Sequence, residues 1–215
     1  KERNRRLGLG IMGIAEWFIQ RDLRYGDTFQ IKPWLSAWQD TCELAAVEHS
    51  NMLSINKPIA TRAIAPTGTI SIACGHTTPG IEPVFHTAYK RCYNTPDGLK
   101  EEVIIDPIIE SMIEKGMDVE SIDTAYTLSK VPEGINKRIA FQAFVQKYVD
   151  NGISSTVNLP PYVEGVEEDI APILLKYLPQ LRGITFYPDG RHDNQPVVPV
   201  DIKDALAKRA QMQIH

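Results

Sequence analysis

Cysteine is scarce in this chain: Cys42, Cys74 and Cys92 are far apart in 215 residues, with no CxxC pair. That spacing supports neither a disulfide framework nor a zinc ribbon, and an odd number of thiols suits a reducing compartment. An excess of positive charge is lacking too. Lys+Arg total 23 against 27 Asp+Glu, a formal net charge of -4, so no overall field draws the molecule to nucleic acid or an anionic membrane. No apolar run approaches the roughly 18 to 20 residues needed to span a bilayer, and the charged stretch Lys1 to Arg6 is not followed by a signal-type apolar core. A soluble, cytoplasmic protein is expected. There is no Ser/Gly linker, low-complexity tract or internal repeat, so a single domain over 1–215 is the expectation. The remaining composition, 43% hydrophobic and 23% charged, is ordinary globular usage and can bury a sizeable core.

What is there alternates helix and strand. Leu7, Ile11, Ile14, Ala15 and Phe18 recur at helical spacing and predict a first helix, ending before the polar break Tyr25 to Asp27. A second helix is predicted from Pro33, with Leu35, Trp38, Cys42, Ala45, Ala46 and His49 on one face and Cys42 in the core. Thr61 to Ala65 reads as a strand delivered into Pro66-Thr67-Gly68-Thr69, with a short helix over Ile70 to Ala73. Glu82 to Tyr93 reads as extended, and Leu99 to Lys115 as an amphipathic helix interrupted by Pro107. Further on, a helix is predicted over Ile135 to Tyr148, a stop at Asp150-Asn151-Gly152 and a strand over Ile153 to Leu159. A helix over Glu167 to Leu178 and a strand over Gly183 to Tyr187 follow. The order gives an α/β fold class.

Among the motifs, Gly8-Leu9-Gly10-Ile11-Met12-Gly13 matches the dinucleotide fingerprint GxGxxG. That chemistry needs a preceding buried strand, whereas a charged run stands there, so small residues on a packed helix are the preferred reading. The better anion site is Thr67, Gly68, Thr69 and Ser71. A strand-to-helix turn with glycine and hydroxyls offers unpaired backbone N–H groups and side-chain donors, although such a sequence also makes an ordinary turn. The lysine of a Walker-type loop is missing. His49, His76, His86, His192 and His215 have no metal-ligand spacing. Asp189 and Asp193 beside His192, and the stretch Lys147 to Asp150, read as solvated chain.

Five stretches in order carry a family resemblance: NRRLGLGIMGIAEWF at 4–18, APTGTIS at 65–71, GIEPVF at 80–85, FQAFVQKYVDNGISSTVNLP at 141–160 and RGITFYPDGR at 182–191. Together they resemble the C-terminal part of the large catalytic subunit of ribonucleotide reductase, most of all the adenosylcobalamin-dependent class II enzymes. The resemblance spans about 4–191, with a divergent stretch near 95–135, and leaves 192–215 as a divergent extension.

The resemblance implies the C-terminal portion of a ten-stranded α/β barrel. It implies that the APTGTIS stretch holds substrate phosphates, making Thr67, Gly68, Thr69, Ile70 and Ser71 the candidate site residues, in agreement with the turn argument. GIEP is then expected to pack the barrel beneath, and ISSTVNLP to be a barrel strand with Asn158 turning the chain outward. Oxygen-dependent relatives carry adjacent tyrosines where Phe186 precedes Tyr187 here, and phenylalanine has no phenolic O–H to oxidise. That favours the cobalamin class. The family's reaction abstracts the ribose 3′-hydrogen with a thiyl radical and reduces the 2′ position. The radical cysteine, in an Asn-x-Cys-x-Glu setting, and the reducing cysteine pair have no match around Cys42, Cys74 or Cys92. No catalytic residue is therefore expected here, and Cys74 reads as a buried small hydrophobe. The implied partner is an N-terminal half of the reductase carrying the radical cysteine, this chain being a fragment or a split-gene product, inactive alone and with apolar faces that the partner or self-association covers. Two other readings stand beside it: a non-catalytic nucleotide-binding or assembly module on the same fold, and a dinucleotide-dependent dehydrogenase, which the absent strand disfavours.

Overall fold

The computed structural model describes residues 5–75, 77–96, 98–119, 121–160, 165–188 and 197–212. Strand β1 (Arg6–Leu9) leads to helix α1 (Ile14–Ile19) and the long helix α2 (Thr28–Met52), then β2 (Ala60–Arg62) and α3 (Gly68–Ala73). An antiparallel hairpin, β3 (Ala88–Thr95) and β4 (Gly98–Ile105), is followed by helices α4 (Pro107–Glu114), α5 (Ala125–Ser129) and α6 (Pro132–Gln146). The chain then runs through β5 (Thr156–Leu159), α7 (Val166–Tyr177) and β6 (Thr185–Pro188) to β7 (Val197–Val200) and α8 (Ile202–Met212).

The parallel pairs β1–β2 and β5–β6 are joined by a parallel bridge between Ile64 and Ile153, so four parallel strands run in the order β1-β2-β5-β6. This parallel run, with helices between its strands, makes the fold α/β. No closed sheet forms among the described residues, so the ten-stranded barrel is not seen. β3 forms the centre of a separate antiparallel sheet, β4-β3-β7.

Two expectations are corrected. The apolar spacing from Leu7 to Phe18 does not make one helix: Arg6–Leu9 is an exposed strand and the helix begins at Ile14. Pairing with β2 supplies backbone bonds that outweigh local periodicity. A Cβ on Gly10 would lie 2.7 Å from the carbonyl oxygen of Ala63, so the glycine there serves close backbone approach. Likewise Leu99 to Lys115 is not one helix. Its first part is β4, paired residue by residue with β3, and Asp106 caps a new helix with Pro107 at its first turn. Boundaries also shift. α2 starts five residues before Pro33 because the Asp27 carboxylate accepts from the N–H groups of Phe29 and Gln30, each at 3.1 Å. The extended stretch begins at Ala88 and not at Glu82.

Three packed groups hold these elements. Phe18, Ile31, Leu35, Phe141 and Val145 join α1, α2 and α6 to Ile64 and Ile153 at the strand bridge. Val84, Ala88, Ile105, Ile109 and Met112 unite the hairpin with α4 and with Ile202 and Ala205 of α8. Ile135, Ile139, Val157 and Ile170 pack α6 and α7 on β5. At the strand ends, the guanidinium of Arg62, only 1% exposed, bonds to Asp150 at 2.9 Å, Glu43 at 3.1 Å and the carbonyl of Tyr148 at 2.7 Å.

Candidate functional site

The β2 strand delivers the chain to Thr67, which adopts a left-handed conformation (φ 53°) and starts α3. The first intrahelical bond is Ser71 N–H to Thr67 carbonyl at 2.8 Å. The N–H groups of Gly68, Thr69 and Ile70 precede it, so they have no intrahelical acceptor, and none has another among the described residues. Two hydroxyls of the loop are committed to structure. That of Thr67 accepts from Gly80 N–H at 3.0 Å, and that of Ser71 donates to Gly68 carbonyl at 2.8 Å. Thr69 and Ile70 are exposed and Ser71 is buried.

Gly68 and Pro66 line a cavity of about 550 Å³ that also meets Thr78, Glu82, Phe85 and Asn158. Its volume is of the size that takes a small ligand or a nucleotide. Gly80 places the opposite turn: it has φ 52°, and a Cβ there would meet the Ala65 carbonyl oxygen at 3.3 Å. Thr77 and Thr78 are pinned to α1 through Glu16, which accepts from the Thr77 hydroxyl at 3.0 Å and from both the N–H and the hydroxyl of Thr78.

Charge in the wall comes from residues that the sequence reasoning did not single out. Glu82, in the GIEP stretch, accepts from Thr156 N–H at 2.8 Å and from the buried Arg138. Asp106 lines the cavity beside Tyr89 and Arg91; burial, with help from the charge of Glu16, pushes its carboxyl up to about 6 against the pull of backbone N–H bonds. A signal for Arg138 existed: it stands four residues before Gln142 on the buried face of α6, where a charge needs a partner.

The remaining candidates separate from this cavity. A strand, β1, runs into the first residues of GxGxxG, contrary to expectation, but it is exposed and not the buried strand that fingerprint needs, and the Gly13 N–H donates to the Thr78 carbonyl at 2.8 Å. Cys42 is buried, as expected. Cys74 is not the buried hydrophobe expected: it is exposed at the end of α3, where the helix stops before its side chain reaches a core. Asp150 is no solvated helix end, since it accepts from the N–H groups of Thr61 at 2.7 Å and Arg62 at 3.2 Å. His76, Asp189, His192, Asp193 and His215 lie outside the described residues. Among the described residues no group of three or more His, Cys, Asp or Glu is arranged to hold a metal ion, and no helix is long and apolar enough to cross a membrane.

Comparison with known proteins places this geometry. Residues 59–175, just over half of the chain, match the model of the ribonucleotide reductase barrel domain. An adenosylcobalamin-dependent ribonucleoside-triphosphate reductase of Euglena gracilis is 28% identical over 90% of this chain and 27% of its own length. A vitamin B12-dependent ribonucleoside-diphosphate reductase of Mycobacterium tuberculosis is 26% identical over 95% of this chain and 34% of its own. The chain thus spans about a quarter to a third of these relatives. The fold is shared with a crystal structure of a B12-dependent class II ribonucleotide reductase, at TM-score 0.74 and 18% identity over 98% of this chain and 33% of that one. It is also shared with the class Id ribonucleotide reductase alpha subunit of Actinobacillus ureae, at TM-score 0.65 and 18% identity over 88% and 40%. A family match that runs from β2 through the Thr67 to Ser71 loop to α7 covers the strands and helices that build the cavity, and this chain belongs to the ribonucleotide reductase barrel-domain family.

Proposed function

We propose that this chain is the substrate-phosphate-binding part of a ribonucleotide reductase, which converts ribonucleotides to deoxyribonucleotides for DNA precursor synthesis. The observation that carries this reading is the run of unpaired N–H groups at Gly68, Thr69 and Ile70, of which Gly68 lines a nucleotide-sized cavity. Thr67, Gly68, Thr69, Ile70 and Ser71 form the phosphate site: the backbone N–H groups and the Thr69 hydroxyl donate, while the Thr67 and Ser71 hydroxyls keep the loop in shape. The family's class II members fit best, since the curated relatives are named for adenosylcobalamin and Phe186 precedes Tyr187 on β6.

Adenosylcobalamin, when bound to the complete enzyme, supplies the radical chemistry. A corrin ring with its nucleotide tail is larger than the cavity of about 550 Å³, so that cavity by itself does not enclose it. The partner is the N-terminal half of the reductase, carrying the radical cysteine and completing the ten-stranded barrel. The outer edge of β1, which has no partner among the described strands, with Leu7 and Leu9 more than half exposed, supports this. The chain itself is one domain, with 192–215 as its divergent extension; pairing of β7 with β3 and burial of Ile202 and Ala205 support that unity. It acts in the cytoplasm.

The test is reconstitution. The purified chain with adenosylcobalamin and dithiol is expected to turn over no ribonucleotide, and addition of the N-terminal half is expected to restore turnover. Replacing Cys74 with Ala in the reconstituted enzyme should leave that turnover nearly intact. Turnover by this chain alone, or reconstituted activity indifferent to changes at Gly68 and Thr69, defeats the assignment.

A further inference from the structure

The cavity wall carries a charge that a phosphate site has to accommodate. Glu82 lies two residues beyond Gly80, whose N–H bonds to Thr67 at the start of α3. Glu82 and Gly68 line the same cavity, so a carboxylate shares the wall with the donors that would receive an anion. In a cavity of about 550 Å³, every wall is within about one Debye length of a bound anion, roughly 10 Å at 0.1 M salt. Unopposed, Glu82 would repel phosphate.

It is not unopposed. Arg138, 4% exposed, donates to Glu82, to the Thr156 carbonyl at 2.7 Å and to the Tyr25 hydroxyl at 2.5 Å. Tyr25 passes the chain on to the Ile81 carbonyl at 2.5 Å, and the second Glu82 oxygen accepts from Thr156 N–H. Burial by itself lowers the Arg138 pKa, but Tyr25 and Glu82 outweigh it and raise it, so the guanidinium stays charged. A buried ion pair is weak evidence of added stability, because desolvation consumes most of the attraction. Its location on the cavity wall gives it another use.

We propose that Arg138 is a positioning residue that neutralises Glu82 and fixes its carboxylate, so that the cavity accepts the diphosphate or triphosphate group of a nucleotide at α3. This rests on the phosphate reading of the Thr67 to Ser71 loop. Its electrostatic content separates it from a mere strut. With a strut, any variant that breaks the network weakens binding. With charge neutralisation, removing both charges restores it.

The experiment is calorimetric titration of this chain with inorganic pyrophosphate and with a ribonucleoside diphosphate, at constant pH and 0.1 M salt, alongside thermal unfolding. R138Q is expected to weaken both ligands by about tenfold or more, since one unit-charge repulsion across roughly 8 Å at an effective dielectric near 30 is worth about tenfold and both ligands carry more than one charge. R138K should bind within about threefold of the native chain, and so should R138Q/E82Q, even though the double variant unfolds at a lower temperature. Binding by R138Q/E82Q as weak as that of R138Q, or by R138Q as tight as native, overturns the proposal while leaving the phosphate loop standing. Absence of pyrophosphate and nucleotide binding by the native chain overturns both. Should R138Q fail to fold, E82Q decides: native or tighter affinity supports neutralisation, and weakened affinity refutes it.

Discussion

Asp106 is held between two demands. Its carboxylate accepts from Ile108 N–H at 3.0 Å to cap α4, yet burial and the nearby Glu16 push its pKa up to about 6. The unfolded chain, with an ordinary aspartate near 3.9, loses that proton earlier. Between about pH 4 and 6 the folded state therefore holds more protons, and stability falls as pH rises through this window. Comparing native chain with Asp106→Asn, which keeps a capping oxygen, urea unfolding should show the native chain losing ground by about 2 kcal/mol from pH 4 to 6.5. A constant difference across that range would show that Asp106 titrates normally. Single residues were unevenly legible in the sequence. The turn through Thr67 into α3 could be read because turn chemistry is local, and the burial of Cys42 because it shares a helical stripe. Asp150 was misread because its partners Thr61 and Arg62 are nearly ninety positions away, and no local pattern announces such a bond.

At the level of elements, α3 offers a separation of stability from binding. A Cβ built on Gly68 meets nothing within 4 Å, and the residue has no left-handed backbone to lose. Gly68→Ala should therefore stabilise the chain by up to about 1 kcal/mol through helix propensity. The same methyl projects beside the unpaired N–H groups, where a charge-assisted bond contributes roughly 1.5 to 3 kcal/mol. Pyrophosphate affinity should fall while the melting temperature holds or rises, as calorimetry and thermal unfolding can establish together. Equal losses in both would mean that the loop tolerates no methyl for packing reasons. Helices α6 and α7 and strands β5 and β6 were readable because each has a stripe or run with a clear stop. β1 and β4 were not. Both carry apolar residues at spacings that suit a helix, and pairing makes them strands: β1 with the distant β2, and β4 with β3, which ends three positions before it.

The whole molecule leaves much apolar surface in water. Leu9 is 58% exposed, Leu44 60% and Phe29 82%, while β1 has one partner among the described strands. A strand edge flanked by exposed leucines is a template for pairing, so the purified chain should self-associate in light scattering, and adding the N-terminal half should dissolve those assemblies into a defined complex. A monodisperse monomer would contradict this. The α/β class followed from alternation of periods, whereas the order of the four parallel strands was invisible, because it depends on how β2 meets β5. That meeting is densely bonded: Ile64 N–H reaches the Gly152 carbonyl at 3.2 Å, Ser154 N–H the Ile64 carbonyl at 2.8 Å and Asn151 N–H the Arg62 carbonyl at 3.0 Å, while Asp150 accepts from the N–H groups of Thr61 and Arg62. Such a join, with Ile64 and Ile153 in the same core as α1, α2 and α6, couples the two strand pairs, so they open as one cooperative unit. In native-state hydrogen exchange the amides of Ile64 and Ser154 should therefore exchange together and as slowly as those of α6, so that the join reports the opening of the whole unit; exchange faster than α6 would mark it as a seam between separate units.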